Sequence, residues 1–224
     1  SDGVDRVLVG QGSNSNEARR SDSQGALIEM GGVLDTAIVG NGYFMTQGAD
    51  QVGYSVTRNG AFSLDKNGFL KTQDDDFVLG MQAVDGAFVA LGADPAILQR
   101  IQIPVNASTD PLSSISIANN GNILAAFGSG ADTPISTIPL SIFSNPNGLK
   151  QLGNSKYAPT DLSGKIFMGS PNSAGFGNLE SGYVEGSNVD ITMEMTNMIK
   201  AQQQFNGAAK AMQANSDMIE KMTR

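Results

Sequence analysis

Few side chains in this sequence can do chemistry, and those that can are acidic. The 224 residues include no Cys, no His and no Trp, which removes thiol redox chemistry, Cys/His zinc centres, Cys nucleophiles and every His-based triad. The carboxylates fall into three groups. Asp74-Asp75-Asp76 has the residue type of a cation site, but consecutive residues on a strand face alternate sides, whereas metal ligands must converge. A solvated hairpin tip is the expectation. Asp65-Lys66-Asn67-Gly68 begins like a calcium loop, yet Phe69-Leu70-Lys71-Thr72 supplies none of the later acidic ligands, so it reads as a turn. Glu180 and Glu185 have the residue types of a glycosidase pair, but both precede a predicted helix start, where capping and the helix dipole account for acids. Gly40 and Gly42 bracket a single residue, with no following helix to cradle a phosphate. No catalytic, cofactor-binding or metal-ligating residue is assigned, and a non-enzyme without cofactors is expected.

Composition limits the partners as well. A formal net charge of −8 and only 16% charged residues leave no basic stripe to neutralise phosphates, so nucleic acid is excluded. The 40% hydrophobic share is too high for a disordered chain. No run approaches the 18 or so apolar residues of a membrane span, so no direct membrane insertion is expected. Residues 1–24 hold no apolar run of signal-peptide length. A chain opening at Ser1 rather than Met is expected to lack part of its N-terminus.

The elements that must carry these residues divide sharply. From about Leu34 to Phe143, Asn-Gly and Asp-Gly pairs punctuate short runs of Val, Ile, Phe and Leu. Asn41-Gly42, Asn59-Gly60, Asn67-Gly68, Asp85-Gly86 and Asn120-Gly121 tolerate the positive φ of type I′ turns, and each is a predicted hairpin. Ile101 and Ile103, Ile115 and Ile117, and Ile138, Leu140 and Ile142 alternate with polar residues or Pro, as half-buried strands do. Pro104, Pro111, Pro134 and Pro139 belong at strand ends or edges, because each lacks a ladder donor. Residues 144–186 are rich in Gly, Ser, Asn and Pro and read as an extended return segment with little strand, running along another surface.

From Ser187 to Arg224 the pattern turns helical. Ser187, with Asp190 three residues on, gives a start like a capping box. Ile191, Met195, Met198, Gln202, Phe205, Ala209, Met212, Ser216 and Ile219 follow one another in alternating steps of four and three, the spacing of a coiled-coil seam. Met193, Ile199, Met218 and Met222 widen the seam, and the six helical methionines suit a contact face that must adapt to unlike surroundings. The predicted contacts are Ile191, Met195, Met198, Ile199, Gln202, Phe205, Met212 and Ile219. Residues 1–186 supply no second long amphipathic helix, so this face is expected to bury itself outside the chain or on a part of the protein not included here. The bland alternative is a core helix folded back on the β-domain, but about 34 residues, or roughly 50 Å, overreach such a domain.

Three ordered blocks resemble the flagellar rod and hook protein family. Leu34-Asp35-Thr36-Ala37-Ile38-Val39-Gly40-Asn41-Gly42-Tyr43-Phe44 resembles its LDxAIxGxGFF segment. Tyr54 to Phe62, with Arg58 and Gly60, followed by Leu64 to Leu70, with Gly68, is similar to YTRxGxFxxDxxGxL. Leu179-Glu180-Ser181 through Ser187-Asn188-Val189-Asp190 is similar to GxLExSNVD, and Glu194 to Gln202 matches ExxxMIxAQ. Phe143-Ser144-Asn145-Pro146-Asn147-Gly148-Leu149, in a compact stretch between the second and third blocks, resembles rod more than hook proteins. The family's N-terminal helix has no counterpart here.

The resemblance implies a structural subunit that polymerises with copies of itself and other axial proteins into a helical tube transmitting motor torque. It implies export through the flagellar export apparatus without a cleavable signal, and residence in the periplasm-spanning rod. The fold it implies is mainly β with a long C-terminal helix: residues 1–33 as an N-terminal connecting segment, 34–143 as a β-rich outer domain, 144–186 as the return segment and 187–224 as the assembly helix. Ser187 and Asn188 would set the strand-to-helix transition. The alternatives are a hook protein acting as a universal joint, a secreted β-rich adhesin-like module with a coiled-coil stalk, and a carboxylate-dependent hydrolase.

Overall fold

Short alternating runs fold into short strands. A computed structural model describes residues 23–51, 53–83, 95–105, 111–128 and 130–222; Asp85-Gly86 and most of the N-terminal connecting segment lie outside them. The strands are β1 (Leu27–Glu29), β2 (Thr36–Val39), β3 (Phe44–Gln47), β4 (Ser55–Thr57), β5 (Phe62–Leu64), β6 (Leu70–Thr72), β7 (Phe77–Gln82), β8 (Gln99–Arg100) and β9 (Leu112–Ile117). They continue as β10 (Asn122–Phe127), β11 (Thr133–Thr137), β12 (Leu140–Phe143), β13 (Lys150–Gly153), β14 (Lys156–Ala158), β15 (Ile166–Gly169), β16 (Asn178–Ser181) and β17 (Tyr183–Glu185). One helix, α1 (Ile191–Met222), closes the described chain. The expected class, mainly β with a long C-terminal helix, is the observed one.

The main sheet is open and runs β13-β14-β4-β3-β7-β11-β10-β9, with the β5–β6 hairpin and β8 joined to β7. Three two-stranded pairs flank it: β1–β17, β12–β15 and β2–β16. β3 shows how period-two alternation is used. Phe44 enters one buried cluster with Ile38, Leu70, Ile101, Ile123 and Leu140, while Met45 enters a second with Val56, Phe143 and Leu149. Both faces of this central strand are therefore covered.

Residues 144–186 depart from the expectation of extended chain with little strand. They carry five strands, and these pair with earlier elements: β14 with β4, β15 with β12, β16 with β2 and β17 with β1. Leu149 and Leu179 are core residues. The segment thus completes the β-body instead of running along another surface, because its few apolar side chains fill gaps left by the first half of the chain.

The Asn-Gly pairs also depart from expectation. Strands on either side of Asn41-Gly42, and of Asn59-Gly60, do not pair with each other. Asn67-Gly68 and Asn120-Gly121 do close hairpins, β5–β6 and β9–β10, but φ is positive at Gly68 and Gly121 and not at either Asn. Gly68 N–H donates to the Asp65 carbonyl at 2.8 Å and Gly121 N–H to that of Ala118 at 2.8 Å. These are longer loops with one left-handed glycine. Among the described residues, the two-residue turn with both φ positive is Asn154-Ser155, between β13 and β14, where no glycine follows the Asn.

Candidate assembly surface

α1 begins at a true cap, though not the one the sequence suggests. The Asp190 carboxylate accepts hydrogen bonds from Thr192 N–H at 2.8 Å and Met193 N–H at 3.2 Å, which makes Asp190 the N-cap. Ser187 Oγ accepts from Val189 N–H at 3.2 Å, a local turn before the helix. Glu194 in the first turn and Lys221 in the last complement the helix dipole. The 32 residues extend about 48 Å at 1.5 Å each.

No residue of α1 is buried. Ile191, Met195, Met198, Ile199, Gln202, Phe205, Met212 and Ile219 are all exposed, so the helix does not fold back as a core element among the described residues. The seam spacing places all of these but Ile199 along one stripe, and Ile199 widens it. Among the described residues no helix is long and apolar enough to cross a membrane.

The strand that leads to the helix, β17, is held by one arginine. Arg58 donates from Nε to Glu185 Oε2 at 2.8 Å, from Nη1 to the Gly42 carbonyl at 3.1 Å and from Nη2 to the Gly40 carbonyl at 3.1 Å. It also lies 5.8 Å from the Tyr43 ring centroid. Glu185 Oε1 accepts from Gly25 N–H at 3.0 Å, Gln24 brackets Gly40 N–H and the Ile38 carbonyl, both at 3.1 Å, and Asn188 Nδ2 donates to the Ser23 carbonyl at 2.8 Å. The segments entering and leaving the β-body therefore run side by side. Arg58 ties three sequence blocks together at that point. A groove of about 430 Å³ beside it contains Tyr43, Tyr157, Arg58 and Glu185, and its two charged side chains are paired with each other.

The other motif residues hold backbones at close approach. A Cβ on Gly60 would overlap the Thr36 carbonyl oxygen, and one on Gly68 that of Ile103. Leu34 packs on the first core cluster, the Asp35 carbonyl accepts from Gly182 N–H at 2.7 Å, and Phe44 and Phe62 meet edge to face at 5.0 Å. Val189 is exposed. Glu180 and Glu185 sit on strands, not at the helix start, which corrects the capping explanation; Glu180 accepts from Asn178 Nδ2 at 3.3 Å.

The acidic tip is likewise more engaged than a solvated turn. Lys156 Nζ lies 2.8 Å from Asp76 Oδ2 and 3.6 Å from Asp74 Oδ2, and Asn154 Nδ2 donates to Asp74 Oδ1 at 2.8 Å. The hydrogen bond to Asp76 raises the Lys156 pKa above its ordinary value. Asp75 faces solvent, 3.5 Å from Lys71 Nζ. The tip latches the β6–β7 turn to the β13–β14 hairpin. Among the described residues no cluster of three acidic ligands could hold a metal. Sequence reasoning missed both charged contacts; the available signal was the rarity of charge, which makes a lone Arg58 or Glu185 at the end of a strand-like run a candidate for pairing.

Two family descriptions match the chain: "Flagellar hook protein FlgE/F/G D1 domain" over residues 37–125 and "Flagellar basal body rod FlgEFG protein C-terminal" over residues 180–224. The chain is 33% identical to the flagellar basal-body rod protein FlgG of Agrobacterium fabrum over 212 residues, covering 94% of the chain and 71% of that relative. It is 31% identical to the FlgG of Bacillus subtilis, covering 98% of the chain and 75% of that relative. The flagellar hook protein FlgE of Brucella suis is 29% identical over 109 residues, covering 49% of the chain and 28% of that relative.

Proposed function

Because the chain belongs to the flagellar basal-body rod and hook protein family, we propose that it is a structural subunit of the rod, polymerising into a helical tube that transmits motor torque. The observation that carries this reading is α1: 32 residues, none buried, with apolar side chains at seam spacing. Such a surface is covered by repeated contacts with neighbouring subunits, the head-to-tail kind that builds open helical arrays. Ile191, Met195, Met198, Ile199, Gln202, Phe205, Met212 and Ile219 are the contact residues in this reading. Rod is favoured over hook because the rod relatives align with nearly the whole chain and the hook relative with half of it.

The family is one of structural flagellar components, not of enzymes, and the chain's work is contact. Its partners are copies of itself and other axial proteins, its location is the basal body, and the export apparatus delivers it. In the tube α1 lines the inside, while residues 34–143, completed by the strands of 144–186, face outward. The Arg58 cluster then fixes the direction in which α1 leaves the β-body.

Met198→Asp combined with Phe205→Asp tests the reading. Both sites are exposed in the free chain, so the β-body should fold unchanged, while incorporation into isolated basal bodies should be abolished. Normal incorporation of the double variant contradicts the proposal.

A further inference from the structure

The oxidisable sulfur of this chain is gathered on the helix. With no Cys in the sequence, methionine is the one sulfur side chain, and six of the ten lie in α1. Met193, Met195, Met198, Met212, Met218 and Met222 are 59 to 86% exposed, whereas Met45 in the core is 0% exposed. Oxidation of a thioether follows its access to oxidant, so the free chain presents these six to solvent while shielding Met45.

We infer that the α1 methionines form a peroxide-sensitive modification site that switches off assembly of the free subunit; this rests on the assembly reading of α1. Each thioether sulfur takes one oxygen atom from hydrogen peroxide. The O–O bond breaks, the sulfur loses two electrons and the peroxide is reduced to water. The sulfoxide is polar and chiral, and burying its acceptor oxygen against the apolar side chains of the seam carries a desolvation cost. Met195, Met198 and Met212 fall within the four-three spacing itself, so their oxidation interrupts the stripe, and the three flanking methionines extend the damage. Subunits already assembled have these sulfurs covered by neighbours and resist the same treatment. The modification therefore marks unassembled subunits, and sulfoxide reductases reverse it.

The test uses the full-length protein, polymerised by salting out and pelleted, with and without prior hydrogen peroxide. Peptide mapping should find sulfoxide on the α1 methionines and on exposed Met30, but not on Met45. Treated protein should yield at least tenfold less polymer, restored by methionine sulfoxide reductases, and preformed polymer should retain reduced α1 methionines. Undiminished polymer from protein carrying the α1 sulfoxides, or oxidation of Met45 as fast as of α1, overturns the inference and leaves the assembly reading standing. Untreated protein that never polymerises overturns the assembly reading itself.

Discussion

In the β-body, Phe44 is 0% exposed and its ring meets that of Phe62; in α1, Phe205 is 75% exposed. The same side chain is spent in two ways within one chain. Around Phe44, strands from both halves of the sequence close over each other and two apolar clusters fill the space between. Around Phe205 the described chain buries no residue of the helix. Helices draw most of their stability in proteins from packing an apolar face, and full coverage of one such side chain is worth about 1.5–3 kcal/mol. The difference teaches that the described β-body buries its apolar residues within its own chain, whereas α1, in the proposed reading, is finished by a neighbour.

Truncating the two phenylalanines measures that contrast most strongly. Phe44→Ala should cost about 3–5 kcal/mol of stability in a denaturant titration, and Phe205→Ala should stay within about 0.5 kcal/mol in the free chain. Equal losses would break the comparison. Next in size is the arginine that holds β17. Arg58→Ala strips Glu185 of its ion-pair partner and leaves the Gly40 and Gly42 carbonyls without their donors, for an expected loss of about 2–3 kcal/mol by the same titration.

Asp190→Ala removes the N-cap and should cost the helix about 1 kcal/mol. It is read as lower helicity by circular dichroism, with the unfolding midpoint of the β-body unmoved. The smallest effect belongs to the acidic tip. Lys156→Met should cost about 0.5 kcal/mol, as expected for a partly exposed ion-pair network. Because the folded pKa of Lys156 lies above its ordinary 10.5, this stabilisation is fully present below that pH and is lost as pH rises through the folded value. The gap between wild type and variant, followed by titrations at successive pH, should stay flat across neutral pH and shrink above it. A gap that instead widens at high pH would place Lys156 outside the pair.

The exposed helix was legible in the sequence because its information is local: the four-three spacing from Ile191 to Ile219 names the face, and the lack of a second α-helix among the described residues leaves that face uncovered. The β-rich class was legible for the same reason, through alternation at Ile115 and Ile117 in β9 and at Leu140 and Ile142 in β12, although Ile101, Ile103 and Ile138 lie outside the strands. Contacts that depend on distant partners were not. β14 to β17 are three or four residues long, and each pairs with a strand tens of residues or more away, so composition alone made residues 144–186 look irregular. Arg58 and Glu185 stand 127 residues apart, and nothing in the spacing of either block points to the other. Asn154-Ser155 makes the tight turn that the four described Asn-Gly pairs advertised, because strand pairing on either side, not the dipeptide, decides where a two-residue turn fits.

Hydrogen–deuterium exchange, compared between the free full-length chain and its polymer, tests most directly whether α1 is finished by neighbours. The expected result is fast exchange along α1 in the free chain and at least hundredfold slower exchange in the polymer, with Ile38, Phe44 and Leu140 amides slow in both. Equal α1 exchange in the two states would contradict the division between a self-sufficient β-body and a helix completed by assembly.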